Sequence, residues 1–248
     1  MIKNLCVAIM CGGRGLRISS LTSKYGCKSL IPINGIPAIK YVLKIVRTVT
    51  LETIFLCVDR KELIPFFEEI VDKSRLSNIE IYIDQGKGPM PTMYEIGQKF
   101  AKDRVLVLFG HHLVSRDHLE RMFLMPRKAV VVSLYTSSSE SHCKITKMDR
   151  KSRLRYIIRY NELVKLKKGE RYVDLPYIIP KEFFSQSFGI ASSLFPTIKK
   201  WFIKEPMPRT FLGENEIAFG LDASFPHEFH NLTDIPIVES YARKLAII

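Results

Sequence analysis

Six consecutive apolar residues, Leu5 to Met10, run straight into a cluster of glycines at positions 12, 13 and 15. No other junction in the chain limits the fold so much. A short apolar run bounded by glycine reads as a strand buried on both faces, which requires neighbouring strands and covering helices. Glycines beyond the strand let backbone N–H groups approach a bound anion closely. Arg17 follows at once, and Lys28 comes next in Lys28-Ser29-Leu30-Ile31-Pro32. Two cations held beside such a loop would neutralise phosphate. The junction therefore reads as a triphosphate site.

Hydrophobic spacing extends the pattern. Strands are predicted over residues 3–10, 53–58, 79–83 and 104–109, and helices over 37–48, 64–71 and 92–101. Strands alternating with helices imply βαβ units and a mostly parallel sheet covered on both faces. Ligands in such sheets bind at the carboxyl ends of the strands, where the glycine-bearing loops after Met10, Ile83 and Phe109 fall. The second half is less regular. Strands are expected over 129–135, through Leu154, Tyr156 and Ile158 with a basic outer face, and over 177–184. A polar turn is expected at 137–141, a helix at 194–202 and a closing helix at 237–245. With no repeat, low-complexity tract or linker, the chain reads as one domain over 1–248.

Charge narrows the ligands. The 38 basic residues outnumber the 25 acidic ones, for a net +13, which favours nucleic acid, nucleotides or sugar phosphates. Basic residues crowd between Lys144 and Arg171. That run could serve an anionic acceptor or be a solvated face. Nucleic-acid binding is disfavoured, since few aromatics (Tyr156, Tyr160) accompany the run and no binding motif is present. Cys6, Cys11, Cys27, Cys57 and Cys143 are odd in number and form no CxxC pair, as expected for reduced thiols in a cytoplasmic protein. His227-x-x-His230 falls in a strand or loop and lacks the four ligands of a structural zinc site. No apolar run approaches a membrane span, and the first residues lack the apolar core and cleavage site of a signal peptide.

The glycine loop is neither of two familiar phosphate motifs. A dinucleotide fingerprint would need glycine where Ile18 stands, and a Walker loop would need glycine at Leu21. The stretch CGGRGLRISSLTSKYGCKSLIPINGIPAIKY instead resembles the opening of the nucleotidyltransferase superfamily that joins NTPs to sugar phosphates, AGGxGTRLxPLTxxxPKPLxPVxGKPxIxY. The glycines, Arg17, Leu21-Thr22, Lys28, Leu30, Pro32, Gly35, Pro37 and Tyr41 match, with one extra residue between Thr22 and Lys28 in a segment expected to be loop. Weaker matches run to the C-terminus.

The resemblance implies an α/β, Rossmann-like fold with a mixed, mostly parallel central sheet. Residues 1–125 would form the nucleotide-binding half and 126–248 the acceptor side. Cys11, Gly12, Gly13 and Gly15 would wrap the nucleotide, Arg17 would clamp its β- and γ-phosphates, and Lys28 would neutralise charge between the α-phosphate and the acceptor. Asp84-Gln85-Gly86-Lys87-Gly88 resembles a second family loop, so Gln85 would read the base, or be a simple turn residue, with Gly88 against the ribose. The reaction implied is transfer of a nucleoside monophosphate from an NTP to a sugar 1-phosphate or similar phosphorylated alcohol, with a divalent metal assisting.

Several positions depart from the family pattern. Leu16 replaces its Thr, Cys27 its Pro, and the Glu-Lys-Pro acceptor motif expected near 155–163 is absent. Arg159 could supply that missing cation or be an exposed strand arginine. The metal-binding Asp after the strand at 104–109 is replaced in Gly110-His111-His112, and Asn231 resembles the second metal ligand. Imidazole suits Mn²⁺ better than hard Mg²⁺. His111 is thus either a substituted ligand or a mark of lost catalysis, and the alternative to an enzyme is a non-catalytic member that binds nucleotide or phosphosugar as a sensor or partner subunit. Self-association is left open.

Overall fold

A computed structural model describes residues 1–13, 15–84, 89–136, 143–148, 154–160, 165–185, 219–222 and 229–245. The apolar run forms β1 (Leu5–Met10), buried along its whole length. After it come α1 (Ser19–Tyr25), a minimal hairpin of β2 (Pro32–Ile33) and β3 (Ile36–Pro37), and α2 (Ala38–Val49). The alternation continues with β4 (Ile54–Val58), α3 (Ile64–Ser74), β5 (Ile79–Ile83), α4 (Pro89–Phe100), β6 (Arg104–Phe109) and α5 (Arg116–Phe123). The remainder comprises β7 (Val131–Tyr135), β8 (Cys143–Met148), β9 (Leu154–Tyr160), β10 (Glu170–Pro180), β11 (Phe219–Asp222) and α6 (Ile235–Lys244).

One large sheet has the order β11-β7-β10-β6-β1-β4-β5, with β8 paired to β10 and β9 paired to β8. β1 is parallel to both neighbours, aligning Met10 with Cys57 of β4 and with Phe109 of β6. β10 is antiparallel to β6 and to β7, so the sheet is mixed although most of its helix-linked strands run parallel. Both faces are covered. Cys6, Ala8 and Met10 of β1 pack with Met93, Tyr94 and Ile96 of α4 on one side. Leu5, Val7 and Ile9 pack with Ile39, Val42 and Val46 of α2 on the other. Successive strand residues point to opposite faces, and an unbroken apolar run is what a doubly covered strand requires. The expected α/β, Rossmann-like, mostly parallel architecture is the one observed.

Local differences have physical causes. The segment between Thr22 and Lys28, expected as loop, is helical through Tyr25 and ends at Gly26, whose φ of 83° closes the helix. The strand expected over 177–184 is the end of a longer strand: β10 starts at Glu170 and stops at Pro180. Phe183 and Phe184 then turn under α4 in a single 3₁₀ turn. Gly97 makes room for this turn, since a Cβ there would lie 2.5 Å from the Phe184 ring. The predicted turn at 137–141 and helix at 194–202 lie outside the described residues.

Three devices place the C-terminal segment beside the glycine loop. The Asn34-Gly35 turn of the β2–β3 hairpin has positive φ at both residues, 48° and 79°, as a two-residue hairpin favours. Asn34 then docks α6. Its Nδ2 donates to the Glu239 carbonyl at 2.9 Å, and Arg243 Nη1 donates to Asn34 Oδ1 at 2.6 Å. The entry to α6 is closed by Asp234 Oδ2, which accepts from the backbone N–H of His230 and of Asn231, both at 2.8 Å.

Candidate active site

The loop after β1 begins with Cys11, which is fully buried and whose backbone N–H donates to Cys57 O at 2.8 Å. Burial pushes the Cys11 thiol well above the usual range. Its sulfur packs below Gly110, where a Cβ would lie 3.0 Å from Cys11 Sγ and 2.5 Å from Ser29 Oγ. The loops after β1 and β6 therefore meet at a glycine contact that no side chain could enter. Gly13 and Gly15 have φ of 102° and 56°, and a Cβ on Gly15 would meet the Thr22 methyl at 2.6 Å. Glycine is required at position 15 by both space and conformation, and at position 13 by conformation alone.

The two cations predicted from the sequence converge. Lys28 sits on a 3₁₀ turn (Lys28–Leu30) and is only 9% exposed. Its Nζ donates to Phe229 O at 2.8 Å and to His230 Nδ1 at 3.0 Å. Arg17 Nη2 lies 2.9 Å from the same His230 Nδ1. Lysine and arginine can only donate, so Nδ1 accepts from both and the ring proton sits on Nε2. His230 is 4% exposed and its ring lies 6.5 Å, edge on, from that of His111. His111 is buried, stacked 5.4 Å from Phe109 and set against Phe229 at 5.6 Å.

His230 was not among the site residues expected from the sequence; its neighbour Asn231 was. Asn231 is exposed, and its side chain accepts from the Asp234 backbone in a capping box. The spacing Asn231-x-x-Asp234 carries that signal in the sequence, and it makes His230 the residue turned inward. Arg159 lies on β9 opposite Lys144 of β8. Gln85 and Gly88 lie outside the described residues. Among the described residues, no group of three or more His, Cys, Asp or Glu stands where it could hold a metal ion.

A glycine loop at the carboxyl end of a central parallel strand, with two cations gathered by one imidazole, belongs to a phosphate-handling α/β protein. The chain belongs to the family of MobA-like NTP transferase domains, which matches it over residues 7–178. It is thereby a nucleotidyltransferase. Solved structures share the fold. A protein described as a glucose-1-phosphate thymidylyltransferase, from Bacillus anthracis, is 16% identical with a TM-score of 0.73, over 96% of this chain and 95% of its own. The inositol-1-phosphate CTP transferase of T. maritima is 14% identical with a TM-score of 0.74, covering 98% and 96%. HddC from Yersinia pseudotuberculosis is 15% identical with a TM-score of 0.66, covering 95% and 98%. No curated protein matches the chain. Among the described residues, no helix is long and apolar enough to cross a membrane.

Proposed function

We propose that the chain transfers a nucleoside monophosphate from an NTP to a sugar 1-phosphate or a similar phosphorylated alcohol, releasing pyrophosphate and forming an NDP-linked product. The observation that carries this reading is the convergence of Lys28 and Arg17 on His230, beside the glycine loop. Two of the similar structures are named for glucose 1-phosphate and inositol 1-phosphate, a phosphorylated sugar and a phosphorylated polyol. Residues 1–125 would hold the nucleotide and 126–248 the acceptor, within one cytoplasmic domain.

In this reaction an acceptor phosphate oxygen attacks the α-phosphorus. The bond from that phosphorus to the bridging oxygen breaks, and pyrophosphate leaves with the electron pair. The nucleophile is already an ionised phosphate, so no general base is needed. The protein's work is positioning and neutralisation. Lys28 is nearly excluded from solvent, so its charge acts with little screening, and it would neutralise charge between the α-phosphate and the acceptor. Arg17, exposed at the loop, clamps the β- and γ-phosphates. Gly13, with nothing within 4 Å of an added Cβ, leaves room for the nucleotide to lie against the backbone, while Gly12 and Gly15 let the loop pack closely on Asp59 and Thr22.

The described donors do not suit Mg²⁺. His111 and His230 offer imidazole nitrogens rather than carboxylate oxygens, His230 Nδ1 faces two cations, and the Asn231 side chain is engaged at a helix cap. His111 would suit Mn²⁺ instead. The test is pyrophosphate release from each NTP, with Mg²⁺ or Mn²⁺, across a panel of phosphorylated sugars and polyols. Release with one acceptor class is the expected result; none with any would overturn the reading. NTP binding without release, restored to turnover by His111→Asp, would mark a nucleotide-binding subunit instead.

A further inference from the structure

Asp59, the first residue after β4, makes contacts that the reaction above does not use. The register pairing Met10 with Cys57 brings Asp59 alongside Gly12. A Cβ on Gly12 would lie 2.7 Å from Asp59 Cγ, so the carboxylate lies flat against the loop backbone. Asp59 Oδ2 accepts from the Gly13 N–H at 2.8 Å. Its other oxygen, Oδ1, accepts from Arg60 Nε at 3.2 Å. Arg60 is itself anchored, with Nη2 donating to the Gly26 carbonyl at 2.9 Å and lying 3.5 Å from the Gly13 carbonyl. One carboxylate and one guanidinium thus tie the glycine loop, β4 and the end of α1 together.

We propose that Asp59, braced by Arg60, is a positioning residue that presets the glycine loop for the triphosphate. The inference rests on the nucleotide-binding reading of that loop. An N–H has one hydrogen to give, and the Gly13 hydrogen is taken by a carboxylate held on both sides. The Gly13 N–H is then a fastener, and the phosphates meet the remaining loop donors and the two cations. Gly13 has φ of 102°, a conformation glycine shares with many alternatives, so a loop without the fastener has several shapes to lose on binding. Arg60 also offsets the negative charge that Asp59 would otherwise present to a polyanion.

Two measurements on Asp59→Ala and Asp59→Asn test this. Hydrogen bonds to charged groups are strong enough that losing this one should speed Gly13 amide exchange about tenfold or more in Asp59→Ala. Asp59→Asn keeps an acceptor oxygen and should restore most of the protection. In steady state, Asp59→Ala should raise KM for the NTP about tenfold with a much smaller change in kcat, because an interaction made equally before and during reaction is lost. A general structural defect would instead lower kcat together with thermal stability and would not be rescued by Asn. NTP binding by Asp59→Ala as tight as, or tighter than, that of the parent would overturn the proposal and make the carboxylate a competitor of the phosphates. Failure of the parent itself to bind any NTP would overturn the nucleotide reading and this proposal with it.

Discussion

With Lys28 Nζ at 3.0 Å and Arg17 Nη2 at 2.9 Å from one nitrogen, His230 keeps two like charges close together, Lys28 buried and Arg17 reaching in from the exposed loop. An incoming phosphate would relieve that repulsion, which is why the cluster suits an anion. Removing one such preset charge from an enzyme commonly costs about 100-fold or more in kcat. Lys28→Met should do so here, measured as pyrophosphate release at saturating substrates; near-parental turnover would place the reaction elsewhere. Gly15→Ala tests the loop itself. Its φ of 56° and the Thr22 methyl 2.6 Å from an added Cβ should cost about 1–3 kcal/mol, read as a fall in the urea midpoint at constant slope. Arg17 and Lys28 were legible in the sequence because their spacing from the glycines is local. His230 was not, since it meets Lys28 across 202 positions and only the fold brings it there.

At the scale of elements, α5 meets β7 at Ser133, whose Oγ lies 2.8 Å from His118 Nε2 and donates to the sulfur of Met122 at 3.6 Å. Burial, helped by nearby Arg121, lowers the His118 pKa to about 4. A lowered histidine pKa means that the unfolded chain binds more protons between about 4 and 6.5, so stability rises with pH across that window. The contribution is complete above about 6.5 and is lost progressively as pH falls toward 4, a change on the order of 2–3 kcal/mol. Urea unfolding of the parent and of His118→Gln at several pH values should show a shallower slope in the variant; equal slopes would assign the pH dependence to other groups. α5 escaped the sequence reading because its buried face is narrow. Only His118, Leu119 and Met122 are buried, and the first of these is polar. The Asn34-Gly35 hairpin was legible in principle, an Asn-Gly pair between two isoleucines, but its strands are two residues long and show no alternation.

Over the whole molecule, periodicity sufficed for the parallel half of the sheet, where β1, β4, β5 and β6 follow one another along the chain with helices between them. In the antiparallel part it located β7 and β9 but not β8 or the start of β10, because pairing between distant strands leaves no local trace. The extent of β10 shows this: its first residues pair with β8 and β7 and its last with β6, so a single strand answers to three partners. Cysteine chemistry also belongs to this scale. Cys6, Cys11, Cys27 and Cys57 all lie within the covered sheet and its loops, and burial raises each thiol, that of Cys6 to about 12. All four should resist alkylation in the native chain at neutral pH and react on unfolding, as read by mass spectrometry.

The position of β10 also sets an order of events during synthesis. It lies between β6 and β7, yet it is made some sixty residues after β6, counting from Phe109 to Glu170. Until residue 180 has left the ribosome, β6 has β1 on one side and an open ladder of amide and carbonyl groups on the other. Its residues Val105 to Leu108 are the kind that recruit a foreign strand. A nascent chain halted near residue 125 should therefore self-associate or hold a chaperone, and one extended past residue 180 should not. The antiparallel strand that completes the sheet would then also be its guard against misassembly.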